Sequence, residues 1–254
     1  MLSVLRPEAL RPGDRVRVIA PSGPFDRTLF WRGVGWLAER YRVDFDRSVL
    51  ARDGFLAGTD ERRIDELNRA LSDPDLGAVV VARGGYGLTR IIERADLPAL
   101  RRAPKWIVGF SDVTVLHAAL AELGVASLHA HNACGLGRGD AHGRERWINA
   151  LEAPLACRRI EGLETWQPGV ASGRLFGGNL TILFTLAASG RLRVPDGSIL
   201  VLEDVTESSY RLDRMLTALA AAGAFDRAVA VVVGELTDCP IGPHRVAPEA
   251  ARQR

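Results

Sequence analysis

The chain has 254 residues, 47% hydrophobic and 25% charged, with a mean hydropathy of +0.02, and can bury a core without staples in one large domain or two smaller ones. Its 33 basic and 31 acidic residues leave a net charge of +2, so charge gives no case for nucleic acid or an anionic membrane as the main partner. Cys134, Cys157 and Cys239 are odd in number and widely spaced, which argues against a disulfide framework or a zinc site and fits a reducing cytoplasm. No stretch approaches about 18 apolar residues, and the charged opening MLSVLRPEALRPGDRV does not read as a signal peptide.

In chain order, Arg15 to Ala20 reads as a strand that ends at the loop Pro21-Ser22-Gly23-Pro24. A helix including Trp31 to Tyr41 follows, then an extended segment from Val43 to Leu50. Asp60 to Leu71 carries Ile64, Leu67 and Leu71 at helical spacing, with acids in its first turn as the helix dipole favours. Leu76 to Ala82 is a continuous apolar run, the pattern of a strand covered on both faces in a parallel sheet. It leads into Arg83-Gly84-Gly85-Tyr86-Gly87, and Leu88 to Arg94 continues as helix. A second apolar run, Trp106-Ile107-Val108, enters the corner Gly109-Phe110-Ser111-Asp112 and leaves as an amphipathic helix. This is βαβαβ grammar, in which working loops gather at the carboxyl ends of the strands. The glycine turn and the Ser111 corner are therefore expected side by side. Val125 to His131 reads as a further strand, and Glu145 to Leu151 as part of a helix.

From about Ala153 the pattern changes. Domains are expected at 1–155 and 170–254, with 156–169 as linker. In the second, Ser198 to Leu202 is a buried strand that delivers Glu203 and Asp204 at its end. Tyr210 to Ala222 is a helix with Leu212, Met215, Leu216 and Leu219 on one face, and Ala228 to Val233 is a last strand.

A serine at a strand-to-helix corner exposes its hydroxyl near the N–H groups of the next helix's first turn, which is nucleophile geometry. The residues alone favour the plainer reading, in which Ser111 or Asp112 caps the helix beginning at Val113. Glu203 could orient a histidine base for that serine, or cap a neighbouring helix, or pair with Arg211 or Arg214. Gly84 and Gly85 could present N–H groups to an oxyanion, or form an ordinary tight turn. The RGGYG cluster lacks the spacing of a dinucleotide fingerprint or a P-loop.

Six blocks in order then decide among these readings: RPGDRVRVIAPSGP (11–24), FLAGTDERR (55–63), ARGGYG (82–87), GFSDVT (109–114), GGNLTIL (177–183) and LVLEDVTESSYRLDRMLTAL (200–219). Together they resemble the serine LD-carboxypeptidases, which include muramoyltetrapeptide carboxypeptidase and the microcin C self-immunity hydrolases. The resemblance implies an α/β N-terminal parallel-sheet domain similar to class I amidotransferases, a smaller C-terminal α/β domain, and a cytoplasmic homodimer without metal or other cofactor. It further implies a small peptide substrate: the tetrapeptide of recycled peptidoglycan, cut at the amide before its terminal D-alanine. On the same basis Ser111 is the nucleophile, Glu203 the triad carboxylate, and the N–H groups of Gly85 and Asp112 the oxyanion hole.

The family's triad histidine projects beyond Arg254, the last residue here. The expectation is an incomplete C-terminal domain, impaired catalysis, an exposed apolar sheet edge and disorder over 236–254. His244 is a poor replacement as base, His117 reads as a helix-face residue and His142 as a loop residue. His129 and His131 end a strand on the active side, and His129 is expected to contact substrate, its alternative being a hydrogen-bonded strand-end residue. A competing possibility is a chain that binds muropeptide without cutting it. A cysteine-dependent amidotransferase would require cysteine where Ser111 stands.

Overall fold

A computed structural model describes residues 4–156 and 159–239 and divides the chain into two compact units, Met1–Leu155 and Ala156–Arg254. The first is built on a parallel sheet of β1 (Arg15–Ile19), β2 (Arg42–Asp44), β3 (Ala78–Val81), β4 (Trp106–Gly109) and β5 (Leu128–His129), in the order β2-β1-β3-β4-β5. Every residue of β3 and β4 is buried, as the unbroken apolar runs require of strands covered on both faces. The connections carry α1 (Arg27–Ala38), α2 (Asp60–Ser72), the short α3 (Leu88–Ile91) and α4 (Ala99–Arg102), and α5 (Thr114–Leu123). After β5 come α6 (Ala133–Arg138) and α7 (Ala141–Glu152). From β1 the chain runs to β2 on one side and then to β3 on the other. The crevice outside the carboxyl ends of β1 and β3 is thus a topological switch point, where ligands bind in such sheets.

The second unit is a smaller parallel sheet, β6 (Arg174–Asn179), β7 (Ser198–Val205) and β8 (Ala228–Thr237), crossed by α8 (Leu180–Ala188) and α9 (Ser209–Ala221). Its glycine-rich first strand lies tight against the second: a Cβ at Gly177 would fall 1.9 Å from the Val201 carbonyl oxygen. β8 forms one edge of this sheet and exposes Val229, Val231 and Leu236. Leu236 and Thr237 belong to that strand, whereas residues 240–254 lie outside the described residues.

Several local expectations are corrected. The segment expected to be extended to Leu50 ends as a strand at Asp44 and turns into a 3₁₀ helix, Arg47–Leu50, because the Asp46 carboxylate caps it by accepting from Ser48 N–H at 2.8 Å. The strand expected over Val125 to His131 pairs with β4 only at Leu128 and His129. Val125 and Ala126 instead pair with Leu5 of the N-terminal segment. His142 stands in the first turn of α7, which Asp140 caps at 2.7 Å, and not in a loop.

α1 and α6 cross at glycines. A Cβ on Gly33 would lie 1.8 Å from the Ala133 carbonyl oxygen, and one on Gly137 2.0 Å from that of Leu29. Gly35, two residues along the same helix, faces open space. Gly33→Ala is therefore predicted to cost roughly 2–3 kcal/mol through overpacking, while Gly35→Ala stabilises by about 0.5–1 kcal/mol. Urea unfolding midpoints moving in opposite directions would bear this out; equal shifts would refute it.

Candidate functional site

Four loops meet at the carboxyl ends of the first sheet. β4 delivers Phe110 in extended backbone, and Ser111 follows with φ +65°. That left-handed conformation is rare for a residue with a Cβ and costs on the order of 1–3 kcal/mol, so the surroundings must impose it. Two glycines make room. A Cβ on Gly109 would press on Val113 at 2.8 Å, and one on Gly84 would fall 2.7 Å from Ser111 Cβ and 2.8 Å from its Oγ. The Ser111 side chain thus rests on the bare backbone of the glycine turn. Gly85 (φ +107°) and Gly87 (φ +142°) complete that turn in conformations that side chains avoid.

Asp112 fixes the corner from behind. Its carboxylate is fully buried and accepts the Leu88 N–H at 3.0 Å, so the corner is tied to the start of α3 just beyond the glycine turn. Burial raises its pKa, while the Ser22 hydroxyl, the N–H groups of Leu88 and Gly87, and the Arg63 guanidinium draw it down less strongly.

The Pro21–Pro24 loop is held just as firmly. Gly23 N–H donates to Gly84 O at 3.1 Å, and Arg83 donates to Pro24 O at 2.5 Å. From α2, fully buried Arg63 donates to Pro21 O at 2.5 Å and pairs with Asp60. Arg62 donates to Ala20 O at 2.8 Å and pairs with buried Glu66, which accepts the Ala20 N–H at 2.8 Å. These charges form a buried scaffold for the loop. The DERR run offered no signal of that beyond its density of charge.

His117 is buried, with both ring nitrogens engaged. Nε2 donates to Gly109 O at 2.9 Å, since a carbonyl can only accept, and Nδ1 therefore accepts from Ser127 Oγ at 2.8 Å. Desolvation lowers its pKa to about 4, so it stays neutral and braces the strand end. His129 pairs in register with Gly109, and its ring lies 6.3 Å from Phe110 and 5.8 Å from His117. The residue as a whole is exposed, but its ring is flanked closely enough for desolvation to lower its pKa. His131 approaches Phe110 at 6.1 Å. The structure thus gathers Ser111, Gly85, Asp112 and His129 at one sheet end. His244 lies outside the described residues.

In the second unit, two adjacent carboxylates occupy very different surroundings. Asp204 is buried and organises the start of α8: Oδ1 accepts from Asn179 Nδ2 at 2.9 Å and Val205 N–H at 2.8 Å, and Oδ2 accepts from Thr181 N–H at 2.9 Å and Thr181 Oγ1 at 2.8 Å. The helix-anchoring duty weighed for Glu203 thus falls to its neighbour. Arg211 pairs with Glu207 at 2.9 Å, and the Arg214 guanidinium lies 5.4 Å from the Tyr210 ring. Glu203 stands opposite Asn179 in the sheet register, and its carboxyl is raised to about 7, by burial first and then by the charge of Asp204, against a lowering from Asn179. A carboxyl so perturbed is the kind found at functional sites.

Comparison with known proteins gives the lineage. Residues 16–130 match the LD-carboxypeptidase N-terminal domain and residues 172–253 the LD-carboxypeptidase C-terminal domain. The chain belongs to the LD-carboxypeptidase family. By that membership it is a serine-type carboxypeptidase. The murein tetrapeptide carboxypeptidase of Pseudomonas aeruginosa is 36% identical over 239 residues, which cover 89% of this chain and 78% of that protein. A Synechocystis protein whose name gives only the carboxypeptidase class is 37% identical over 238 residues, covering 92% and 78%. The crystal structure of muramoyltetrapeptide carboxypeptidase from Oxalobacter formigenes superposes with a TM-score of 0.82 at 29% identity, covering 91% of this chain and 79% of that one. Among the described residues no helix is long and apolar enough to cross a membrane.

Two predictions follow from the site's geometry. Gly84→Ala pushes a methyl group into Ser111 and should lower peptidase turnover by about a hundredfold, the scale of a misplaced reacting group, with helical circular dichroism retained. Turnover equal to the parent chain would contradict the packing argument. For Glu203, the unfolded carboxyl titrates near 4.5 and the folded one near 7, so between them the folded state keeps a proton that the unfolded state has lost. The stability this contributes is full below the lower value and is lost as pH rises through the upper one. Urea midpoints should fall over that window and flatten in Glu203→Gln, whereas parallel pH curves would contradict it.

Proposed function

We propose that the chain hydrolyses the amide between the L centre of a diamino acid and a terminal D-alanine in murein tetrapeptides. The single observation that carries the reading is Ser111, held at φ +65° where a buried strand meets a helix and seated against Gly84. The names of the Pseudomonas and Oxalobacter relatives support the substrate class.

In this reading Ser111 Oγ attacks the carbonyl carbon of the scissile amide. The oxyanion that forms is met by the N–H groups of Gly85 and Asp112, donors fixed beforehand by the glycine turn and by the buried Asp112 carboxylate, so no reorganisation is needed as charge develops. A histidine takes the serine proton and gives it to the departing amine of D-alanine, and Glu203 orients that histidine. Water then adds to the acyl-enzyme and releases the shortened peptide. His117 is not the base, since both its nitrogens are already spent on Gly109 and Ser127. His129 contributes to substrate contact at the strand end. The reaction belongs in the cytoplasm, on murein peptides returned for recycling, and in a homodimer of 1–155 and 170–254 domains.

The test is release of D-alanine from murein tetrapeptide by the purified chain. Slow release is expected, in keeping with impaired catalysis, and Ser111→Ala should lower whatever release there is. Tetrapeptide bound but left intact would replace this reading with that of a muropeptide-binding protein, and release undiminished in Ser111→Ala would remove the serine mechanism.

A further inference from the structure

Two aromatic rings beside the Ser111 corner are anchored without being buried. The loop that leads into α2 reverses sharply: Asp53 N–H donates to Leu56 O at 3.0 Å, Leu56 N–H donates to Asp53 O at 2.9 Å, and Gly54 takes φ +57°. Phe55 is left at the tip, 68% exposed. Tyr86 projects between the positive-φ residues Gly85 and Gly87, 44% exposed, and its ring centroid lies 5.9 Å from that of Phe55.

Both rings belong to the layer that carries the nucleophile. A Cβ on Gly23 would lie 3.5 Å from Phe55 O and 3.3 Å from Gly84 O, and Gly84 is the residue on which Ser111 rests. The loops beneath them are tied together by hydrogen bonds. Ala57 N–H donates to Ser22 O at 2.9 Å, Arg62 donates to Ala57 O at 2.5 Å, and Leu88 N–H is held by Asp112 at 3.0 Å. Arg90, four residues on, pairs with Asp60 at 2.8 Å. The exposed carbon surface of the ring is available for packing. Exposed rings on fixed backbone gain little for folding, but they supply contact area with little further ordering to be lost when a ligand arrives.

We infer that Phe55 and Tyr86 form an aromatic lip that packs on the aliphatic part of the peptide beside the scissile amide and so helps to determine specificity. The inference rests on the hydrolase reading above and adds contacts to it. Calorimetry on the full chain carrying Ser111→Ala, with murein tetrapeptide as the probe, measures the effect without turnover. Phe55→Ala and Tyr86→Ala should each weaken binding about tenfold, with melting temperatures within a degree or so of the parent because the rings are largely exposed. Tyr86→Phe and Phe55→Tyr should recover most of the lost affinity. Unchanged affinity in both alanine variants, or a loss accompanied by a collapse in melting temperature, overturns the lip while leaving the hydrolase reading in place. Absence of tetrapeptide binding by the parent itself overturns that reading and the lip with it.

Discussion

The contact between Ser111 and Gly84 constrains everything else in the first unit. A serine at φ +65° is unstable by itself, and it is kept there by a turn that has no side chain where the serine needs space. That turn is held in its own unusual conformation by the buried Asp112 carboxylate on Leu88 N–H and by Gly23 on Gly84 O. The Gly23 loop depends in turn on Arg62, Arg63 and Glu66 from α2. Strain at one residue is thus distributed over three loops and a helix, all converging on the switch point between β1 and β3.

The same logic separates the neighbouring carboxylates of the second unit. Asp204 accepts four hydrogen bonds and fixes the geometry around α8. Glu203 alternates to the other face of the strand and keeps a carboxyl raised to about 7. One is spent on the fold, and the other is left half-buried beside a second carboxylate, which is what raises it.

Much of this was legible in the sequence because burial leaves a pattern. The apolar runs of β3 and β4 could only be two-sided strands, and the periodicity of α2 gave its helix to within a residue. The serine corner was visible because a strand signal and a helix signal flank it. What escaped was set by contacts between distant segments. Val125 and Ala126 look like strand, but Leu5, from the far end of the unit, takes their pairing. The glycine-rich β6 gives no strand signal, since its glycines serve close approach to Val201 and lack the side chains that mark a strand. The buried role of the α2 charges was not legible because sequence shows how many charges there are and not which backbone carbonyls they meet. The side chain of Asp112 is the clearest case: the sequence suggested an oxyanion N–H or a helix cap there, and gave no sign that its carboxylate holds the corner to α3.

The account stands on Ser111 Oγ as the attacking atom, and the most direct measurement of that is the site of acylation. Mass spectrometry of the chain, acid-quenched during turnover of an activated ester of the acyl peptide, should find the acyl group on Ser111, within the segment from Trp106 to Leu123. Turnover with the adduct on another residue, or with no adduct at any quench time while Ser111→Ala proceeds at the parental rate, would contradict it.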